Sequence, residues 1–370
     1  MPMPRLIEGK APRMPPVLSA PSSTPPCPPL SAPFPYFGGK RAIAPLLWQA
    51  LGDVPNFVDP FCGSAAILLG RPHPPRTETL NDADAHIPNF YRALSHAPVS
   101  LARWCDNPVC EIELHAWHLW LVEPTRRAAF VEKLIADPHY YDLERAARWC
   151  WGLCQWIGGG WCSGDGPWQV EDGQLVHRPQ AAGGGRHQFG VKRVLPHLGD
   201  AGMVVHRKRP HLGDEGNGIH ALHAQGDALP AWFQALAARL RSVRVCCGDW
   251  RRVLTPSVTT THGVTGVVLD PPYTRAERAP DLYTHDADVA PAVAQWAREH
   301  GDDPLFRIVL CGYVGEHMMP STWTAVPWKA NGGYGNQGHG RGRANARREC
   351  LWLSPHCLPV PQQLPLFGDV

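Results

Sequence analysis

The chain has 370 residues, of which 44% are hydrophobic, and a formal net charge of +2. This length is enough for one large domain or two of ordinary size. Because the net charge is near zero, any surface for a polyanionic partner must be local. We find no run of eighteen apolar residues and no basic start followed by an apolar stretch, so we expect no transmembrane helix and no secretory signal.

The twelve cysteines are expected to be reduced thiols of a cytoplasmic protein. Cys150, Cys154 and Cys162 allow a zinc interpretation, but their spacing matches no standard finger. Cys150 and Cys154 lie one helical turn apart among tryptophans, which favours helix packing, and no metal is expected. Residues 1–33 are rich in Pro, Ser and Ala and are predicted to be a disordered tail, and residues 358–370 form a second Pro-rich tail.

Order is predicted to begin near Tyr36-Phe37-Gly38-Gly39-Lys40. The glycines allow a tight turn and a close approach of the backbone to a ligand. Apolar residues at helical spacing from Ile43 to Leu51 then predict an amphipathic helix. A lysine and free backbone amides at a helix start suit a carboxylate or a phosphate.

Residues 56–69 are typical of a strand, a tight turn of small residues and a helix, which is the geometry of a nucleotide-type cofactor site. A second strand is predicted to end at Asn81-Asp82. An acid at this place can accept hydrogen bonds from both hydroxyls of a ribose. The alternative is that Asp82 is the N-cap of the helix predicted from Ile87 to Leu94.

The middle of the chain changes character twice. Residues 100–157 have a helical pattern, and residues 158–227 are rich in Gly, His and Arg with little periodicity. Between Arg178 and Arg209 there are seven Lys or Arg and one acid, Asp200. This local excess of positive charge is what a nucleic-acid partner requires. A solvated loop without a partner is the alternative.

An α/β pattern resumes with a predicted helix from Leu229 to Leu240 and a strand from Val243 to Cys247. A further helix around Val289–Ala297 and a buried strand at Phe306–Cys311 follow. Residues 322–328 and 349–353 are predicted to pair antiparallel at a sheet edge. An apolar run at residues 266–269 ends at Asp270-Pro271-Pro272-Tyr273. It lies between the strand predicted from Val243 to Cys247 and the helix predicted around Val289–Ala297.

This run predicts a buried strand that stops abruptly at its carboxyl end, where open α/β sheets bind ligands. The prolines fix the turn and remove two backbone donors, so Asp270 and nearby carbonyls are presented as acceptors. Tyr273 adds an aromatic face. Acceptors beside an aromatic ring suit a planar ring that carries an amino group, although an ordinary Pro-Pro turn has the same sequence.

Taken together, these motifs resemble the Dam-like family of DNA adenine-N6 methyltransferases, in which the cofactor motifs precede the target-recognition region. The resemblance rests on residues 36–40, 59–64, 81–82, 89–92, 248–250 and 270–273, with Tyr283 at a further family position. It implies an α/β fold with a Rossmann-like, seven-stranded mixed sheet and a helical and loop insertion. The implied parts are residues 34–98 and 243–357 for the catalytic domain and 99–242 for the insertion.

The resemblance also implies roles for individual residues. S-adenosylmethionine would be held by Tyr36, Gly39, Lys40, Asp59, Phe61, Gly63, Asp82, Asp249, Trp250 and Asp270, with Lys40 on its carboxylate and Asp82 on its ribose. Asp270, Pro271, Pro272 and Tyr273 would form the catalytic turn, in which Asp270 and the Pro271 carbonyl accept the N6 hydrogens of a flipped adenine and Tyr273 stacks on it. Double-stranded DNA would be contacted by basic residues such as Arg186, Lys192, Arg193, Arg207, Lys208, Arg209, Arg341 and Arg343.

One residue departs from the family pattern. Ala65 stands where the family usually has a second glycine, and its methyl group would crowd the cofactor unless the backbone lies farther away. Two other functions remain open: the same chemistry on RNA or on a protein glutamine, and a DNA-binding relative that has lost catalysis. The implied enzyme is a monomer of a bacterial or phage-infected cell, standing alone or paired with a restriction endonuclease.

Overall fold

The structure is a computed structural model that describes residues 30–36, 39–108, 110–155, 161–162, 168–171, 174–177, 228–272, 289–328 and 348–360. Most of the two predicted tails and the whole basic stretch 178–209 lie outside these ranges. Tyr273, Tyr283 and every basic residue named above as a DNA contact also lie outside them, and their roles stay predictions.

Strands and helices alternate in the N-terminal and C-terminal parts of the described chain, and the part between them is mostly helical. The helices are α1 (Ala44–Leu51), α2 (Ala66–Leu69), α3 (His86–His96), α4 (Pro98–Cys105), α5 (Glu111–Val122), α6 (Pro124–Ala136), α7 (Leu143–Gln155), α8 (Ala228–Leu240) and α9 (Ala290–His300). The strands are β1 (Asn56–Asp59), β2 (Thr77–Asp82), β3 (Trp168–Glu171), β4 (Gln174–His177), β5 (Arg244–Cys247), β6 (Thr265–Leu269), β7 (Phe306–Tyr313), β8 (Thr324–Pro327) and β9 (Glu349–Leu353).

Within the described residues, seven strands form one mixed sheet in the order β5-β2-β1-β6-β7-β9-β8. The five strands from β5 to β7 are parallel, whereas β9 runs antiparallel to both β7 and β8. This confirms the predicted seven-stranded sheet and its antiparallel edge. The α/β fold is that of a class I methyltransferase. β3 and β4 form a separate two-stranded antiparallel sheet.

The central strands are buried on both faces, as expected of parallel strands with helices on either side. Successive residues of β6 enter two different cores. Val268 packs in the core that contains α1, α3 and α7, and Val267 and Leu269 pack in the core that contains α9. The apolar run at 266–269 is therefore continuous rather than alternating.

The helical middle of the chain shares the larger of these cores. α4 packs against both α7 and α8, and α3 packs against α7. Arg239 of α8 also makes a two-bonded ion pair with the buried Glu78 of β2, at 2.8 and 2.9 Å. The predicted boundary at residue 242 stays a prediction, but α8 is tied to the sheet by these contacts. No described helix combines the length and apolar character needed to cross a bilayer.

Candidate active site at the strand ends

Three carboxylates lie at the carboxyl ends of adjacent strands. Asp59 ends β1, Asp82 ends β2, and Asp270 directly follows β6. Because β2, β1 and β6 are parallel neighbours, their carboxyl ends meet at one edge of the sheet. The negative charges of Asp270 and Asp82 both act on the Asp59 carboxyl. The fold therefore gathers three predicted site residues from three separate motifs.

Lys40 supplies the cation of this edge. Its Nζ lies 2.8 Å from Oδ1 of Asp270, and its side chain is only 3% exposed. The Gly39 N–H donates to the Tyr36 carbonyl at 3.1 Å just before Lys40, and α1 follows after a short 3₁₀ helix. Burial disfavours the charged form of Lys40, but the charges of Asp270, Cys311 and Glu349, together with the hydrogen bond to Asp270, raise the pKa of Lys40 above its ordinary value.

Asp270 is held between opposing influences. Burial raises the pKa of its carboxyl, the charge and hydrogen bond of Lys40 lower it, and the charge of Glu316 raises it further. Pro271 is buried and Pro272 is half-buried directly after it. The pKa of Asp270 is raised overall, mainly by burial, and Lys40 opposes this increase. A contact of Lys40 with a cofactor carboxylate stays a prediction.

The small-residue turn after β1 is fastened to β2. The Cys62 N–H donates to the Asn81 carbonyl at 3.0 Å, and the Gly63 N–H donates to Oδ2 of Asp82 at 3.0 Å. Gly63 has a φ of +48°, and a side chain on it would meet the Tyr36 ring at 2.5 Å. Glycine is required here for both reasons. Tyr36, Gly63 and Asp82 therefore lie together, and their role in binding a cofactor stays a prediction.

Asp82 is not the N-cap of the following helix. Its Oδ1 accepts from the Asp84 N–H at 3.0 Å, and α3 begins later, at His86, with no side-chain cap. Burial raises the pKa of Asp82 to about 7, against the backbone N–H groups of Asp84 and Gly63, which favour the carboxylate. The N-cap alternative is wrong, because the Asp82 side chain faces the turn after β1.

Asp59 is the most deeply buried of the three acids. Its Oδ1 accepts a hydrogen bond from the Phe61 N–H at 3.2 Å. Burial raises the pKa of Asp59 to about 8, and the charges of Asp270 and Asp82 add to the increase. The crowding of three carboxyl groups at this edge therefore favours the protonated form of Asp59.

An aromatic pair lies beside the acids. Phe61, from the turn after β1, lies 6.2 Å from Trp250 between ring centres, with the planes tilted by 33°. Trp250 is buried, and its indole Nε1 has no hydrogen-bond partner among the residues that the structure describes. Asp249 precedes it, and one carboxylate oxygen accepts from the Arg251 backbone N–H at 2.8 Å. The structure brings Phe61, Asp249 and Trp250 to one corner of the edge.

Ala65 adopts the left-handed backbone conformation, with φ +57° and ψ +26°. A residue with a Cβ rarely adopts it, so this position has a conformational reason to prefer glycine. Its methyl group is fully buried in the larger core. The departure noted in the sequence therefore strains the backbone locally.

Two residues that contact or influence this edge were not predicted individually. Asn81 donates from Nδ2 to the carbonyls of Pro60 and Gly248, both at 3.0 Å, and so joins the ends of β1, β2 and β5. Its place beside Asp82 in a quoted motif was a usable signal. Glu316, whose charge acts on Asp270, had no signal, because it lies in a turn far along the chain.

The cysteines in the helical region are buried thiols. Burial raises the pKa of Cys150, as do hydrogen bonds with the thiols of Cys105 and Cys154. Among the residues that the structure describes, no cluster of three or more His, Cys, Asp or Glu side chains is placed to hold a metal ion.

A comparison with known protein families finds a match for the N-terminal part of the site. The model of the D12 class N6 adenine-specific DNA methyltransferase family matches residues 36–112. Over this segment the chain is similar to an adenine-specific DNA methyltransferase. No curated protein matches the sequence. The matched segment is about a fifth of the chain and contains Tyr36, Lys40, the turn after β1 and Asp82.

The turn that begins at Asp270 lies well beyond the matched segment. The fold nevertheless places it against that segment, because β6 pairs with β1 and Asp270 contacts Lys40. The two parts of the site are thus more than two hundred residues apart in the sequence, but the ion pair between Lys40 and Asp270 joins them in the fold.

Proposed function

We propose that the protein transfers the methyl group of S-adenosylmethionine to N6 of an adenine that is flipped out of a specific double-stranded DNA sequence. The observation that carries this proposal is the 2.8 Å ion pair between Lys40 and Asp270, which links the cofactor motifs to the catalytic turn. The family match supports DNA adenine methylation as the reaction.

The residues present fit S-adenosylmethionine by charge and by shape. This donor carries a positive sulfonium and a positive ammonium, and the edge offers three carboxylates against the single ammonium of Lys40. The cradle at Gly63 leaves no room for a side chain of its own. Asp82 would hold the ribose, and Asp249 with Phe61 and Trp250 would lie at the adenine ring. When bound, the cofactor supplies a methyl group on a positively charged sulfur.

Asp270 then acts on the target base. The N6 lone pair of adenine is conjugated into the ring, so N6 is a poor nucleophile. Hydrogen bonds from N6–H to the Asp270 carboxylate and the Pro271 carbonyl favour a tetrahedral nitrogen with a free lone pair. Because Asp270 is charged, its bond strengthens as positive charge develops on N6. Lys40 favours the ionised form of Asp270 that this requires.

The base must leave the duplex to reach Asp270. Flipping costs a few kcal/mol, on the order of one lost base pair and stack. Stacking on Tyr273 would offset part of this cost. The basic residues at 178–209, together with Arg341 and Arg343, would contact the DNA backbone. We further expect a monomeric enzyme in the cytoplasm of a bacterial or phage-infected cell.

A substrate panel tests this function. The purified protein is incubated with methyl-labelled S-adenosylmethionine and, in separate reactions, with unmethylated genomic DNA, cellular RNA and a protein extract. We expect label in DNA alone. Label in RNA or in protein glutamine would show that the substrate is not DNA. Cofactor binding without any transfer would identify a relative that has lost catalysis.

A further inference from the structure

The turn that follows β7 projects two apolar side chains into solvent beside the catalytic carboxylate. We define the β7 turn as residues 313–318. Val314 is 49% exposed and Met318 is 88% exposed, and both are large apolar residues. An exposed apolar patch next to an active site indicates a surface for a partner, and these two side chains belong to one short turn.

The β7 turn lies next to Asp270 in the sheet. β6 and β7 are parallel, and Leu269 pairs with Leu310, so Asp270 is level with Cys311. β7 continues for two more residues, which carries the turn past the level of Asp270. Burial raises the pKa of Asp270 and Lys40 lowers it. The charge of Glu316, which lies in this turn, also raises the pKa of Asp270. The turn and the catalytic carboxylate therefore lie on the same edge.

The shape of the turn is fixed by its own residues. Oε2 of Glu316 accepts from the Tyr313 N–H at 2.8 Å, and the Val314 N–H donates to the Arg348 carbonyl. Gly312 leaves room for Glu316 and His317 to fold back over the strand, since a side chain there would lie 2.7 Å from the His317 ring. Gly315 has a φ of +86°. The polar residues are turned inward, and Val314 and Met318 are left outside.

Two arginines flank the apolar pair. Nη1 of Arg298, an exposed residue of α9, donates to the Met318 carbonyl at 3.4 Å. The guanidinium of Arg348 lies 5.4 Å from the centre of the Tyr313 ring. An apolar patch between cations matches the chemistry of duplex DNA, which offers phosphates outside and sugars, thymine methyl groups and base faces within.

We propose that the β7 turn is part of the DNA-contact surface, with Val314 and Met318 against the duplex beside the base presented to Asp270 and Arg298 on a phosphate. Apolar side chains of this kind insert between base steps in proteins that open the stack. This inference rests on the proposed function, since it takes DNA as the substrate.

The test compares the two ends of one strand. Val314→Ser/Met318→Ser removes the apolar surface at the carboxyl end of β7. Leu305→Ser is the matched control, because Leu305 is 41% exposed directly before the amino end of the same strand. Initial rates of methyl transfer to unmethylated genomic DNA, and anisotropy with a labelled duplex, are measured for each protein. We expect the turn variant to raise the KM and Kd for DNA at least fivefold, with an unchanged Kd for S-adenosylmethionine, and the control to match wild type.

A second variant checks the electrostatic part. Arg298→Ala should reduce the slope of log Kd against log salt concentration by the amount that corresponds to about one phosphate contact. Equal DNA affinity in the turn variant and the Leu305 control would overturn the proposal. So would a self-association, seen by ultracentrifugation, that the turn variant abolishes without a change in DNA affinity. Wild-type protein that transfers no label, but whose duplex binding weakens in the turn variant, would contradict the proposed function and support the surface.

Discussion

At the scale of single residues, Lys40 connects the two halves of the site. It follows the motif Tyr36-Phe37-Gly38-Gly39 in the sequence, and its partner Asp270 directly follows β6. The resemblance assigned Lys40 to the cofactor carboxylate, and the geometry adds a role toward Asp270. An ammonium buried beside a carboxylate favours the ionised form of both groups. The ionised Asp270 is the form that accepts from N6–H.

Lys40→Met should therefore shift the pH dependence of methyl transfer. Removing the ammonium raises the pKa of Asp270, so the acid limb of the kcat profile should move to higher pH by about one unit or more. The measurement is kcat from pH 5.5 to 9 at saturating cofactor, with the exposed neighbour variant Arg41→Met as the control and Lys40→Arg as the rescue. An unmoved acid limb with only a raised KM for cofactor would restrict Lys40 to the cofactor carboxylate.

Ionisation of Asp59 at high pH should lower the stability of the folded, ligand-free protein. Burial raises its pKa to about 8, well above its value of about 3.9 in an unfolded chain. Between these values the folded state binds the extra proton, so stability falls as pH rises through the window. Asp59→Asn removes this penalty and keeps the acceptor for the Phe61 N–H. Its gain in Tm over wild type should grow between pH 5 and pH 8.5 by about 2 °C or more.

The control for this stability series is Asp53→Asn. Asp53 is ion-paired with Arg76 at 2.9 Å, and the hydrogen bond from Arg76 is the main cause of its lowered pKa. Its contribution is complete above the unfolded pKa, so the effect of Asp53→Asn should be constant from pH 5 to pH 8.5. An Asp59→Asn gain that stays constant over the same window would contradict the assignment.

Ala65→Gly should be nearly neutral for stability. It relieves a left-handed φ that costs a non-glycine residue about 1 kcal/mol, and it deletes a buried methyl worth about 0.8 kcal/mol. Ala50→Gly is the contrast, since Ala50 is also fully buried but lies within α1, and its loss should cost about 2 kcal/mol. Denaturant unfolding measures both. Equal costs would show that the backbone at Ala65 is unstrained.

At the scale of elements, strands and amphipathic helices were predictable because burial imposes a period on the sequence. The apolar run before Asp270 and the acid at the end of β2 both lie where the pattern placed them. The pairing of these strands was not available from local pattern, because β1 pairs with β6 across the whole helical region. It was the order of family motifs, rather than periodicity, that implied the sheet.

The element α8 is anchored to the sheet by one buried carboxylate. Arg239→Met should destabilise the protein by about 2 kcal/mol or more, because it leaves the buried Glu78 with Arg71 as its remaining ion-pair partner in the described structure. The double variant Glu78→Gln/Arg239→Met should recover part of this loss, because the uncompensated charge is gone. Arg241→Met, on the exposed side past the end of α8, is the control. A double variant less stable than Arg239→Met in denaturant unfolding would rule out this account.

At the scale of the whole molecule, charge is distributed unevenly although the net value is only +2. The strand ends gather Asp59, Asp82 and Asp270 around Lys40, which favours a cationic donor. The residues predicted to contact DNA are basic and lie in other parts of the chain. The acid of the catalytic turn was predictable because Asp-Pro-Pro-Tyr follows a buried strand. The ion pair with Lys40 was not, since it depends on how distant turns meet.

The most direct test of the central claim is nucleoside analysis of methylated DNA. Unmethylated genomic DNA is treated with S-adenosylmethionine and either wild-type protein or Asp270→Ala, digested to nucleosides and measured by mass spectrometry. We predict N6-methyl-2′-deoxyadenosine from the wild-type protein and none from Asp270→Ala, while calorimetry shows that the variant still binds the cofactor. Methylated cytosine in place of methylated adenine, or full methylation by Asp270→Ala, would contradict the account.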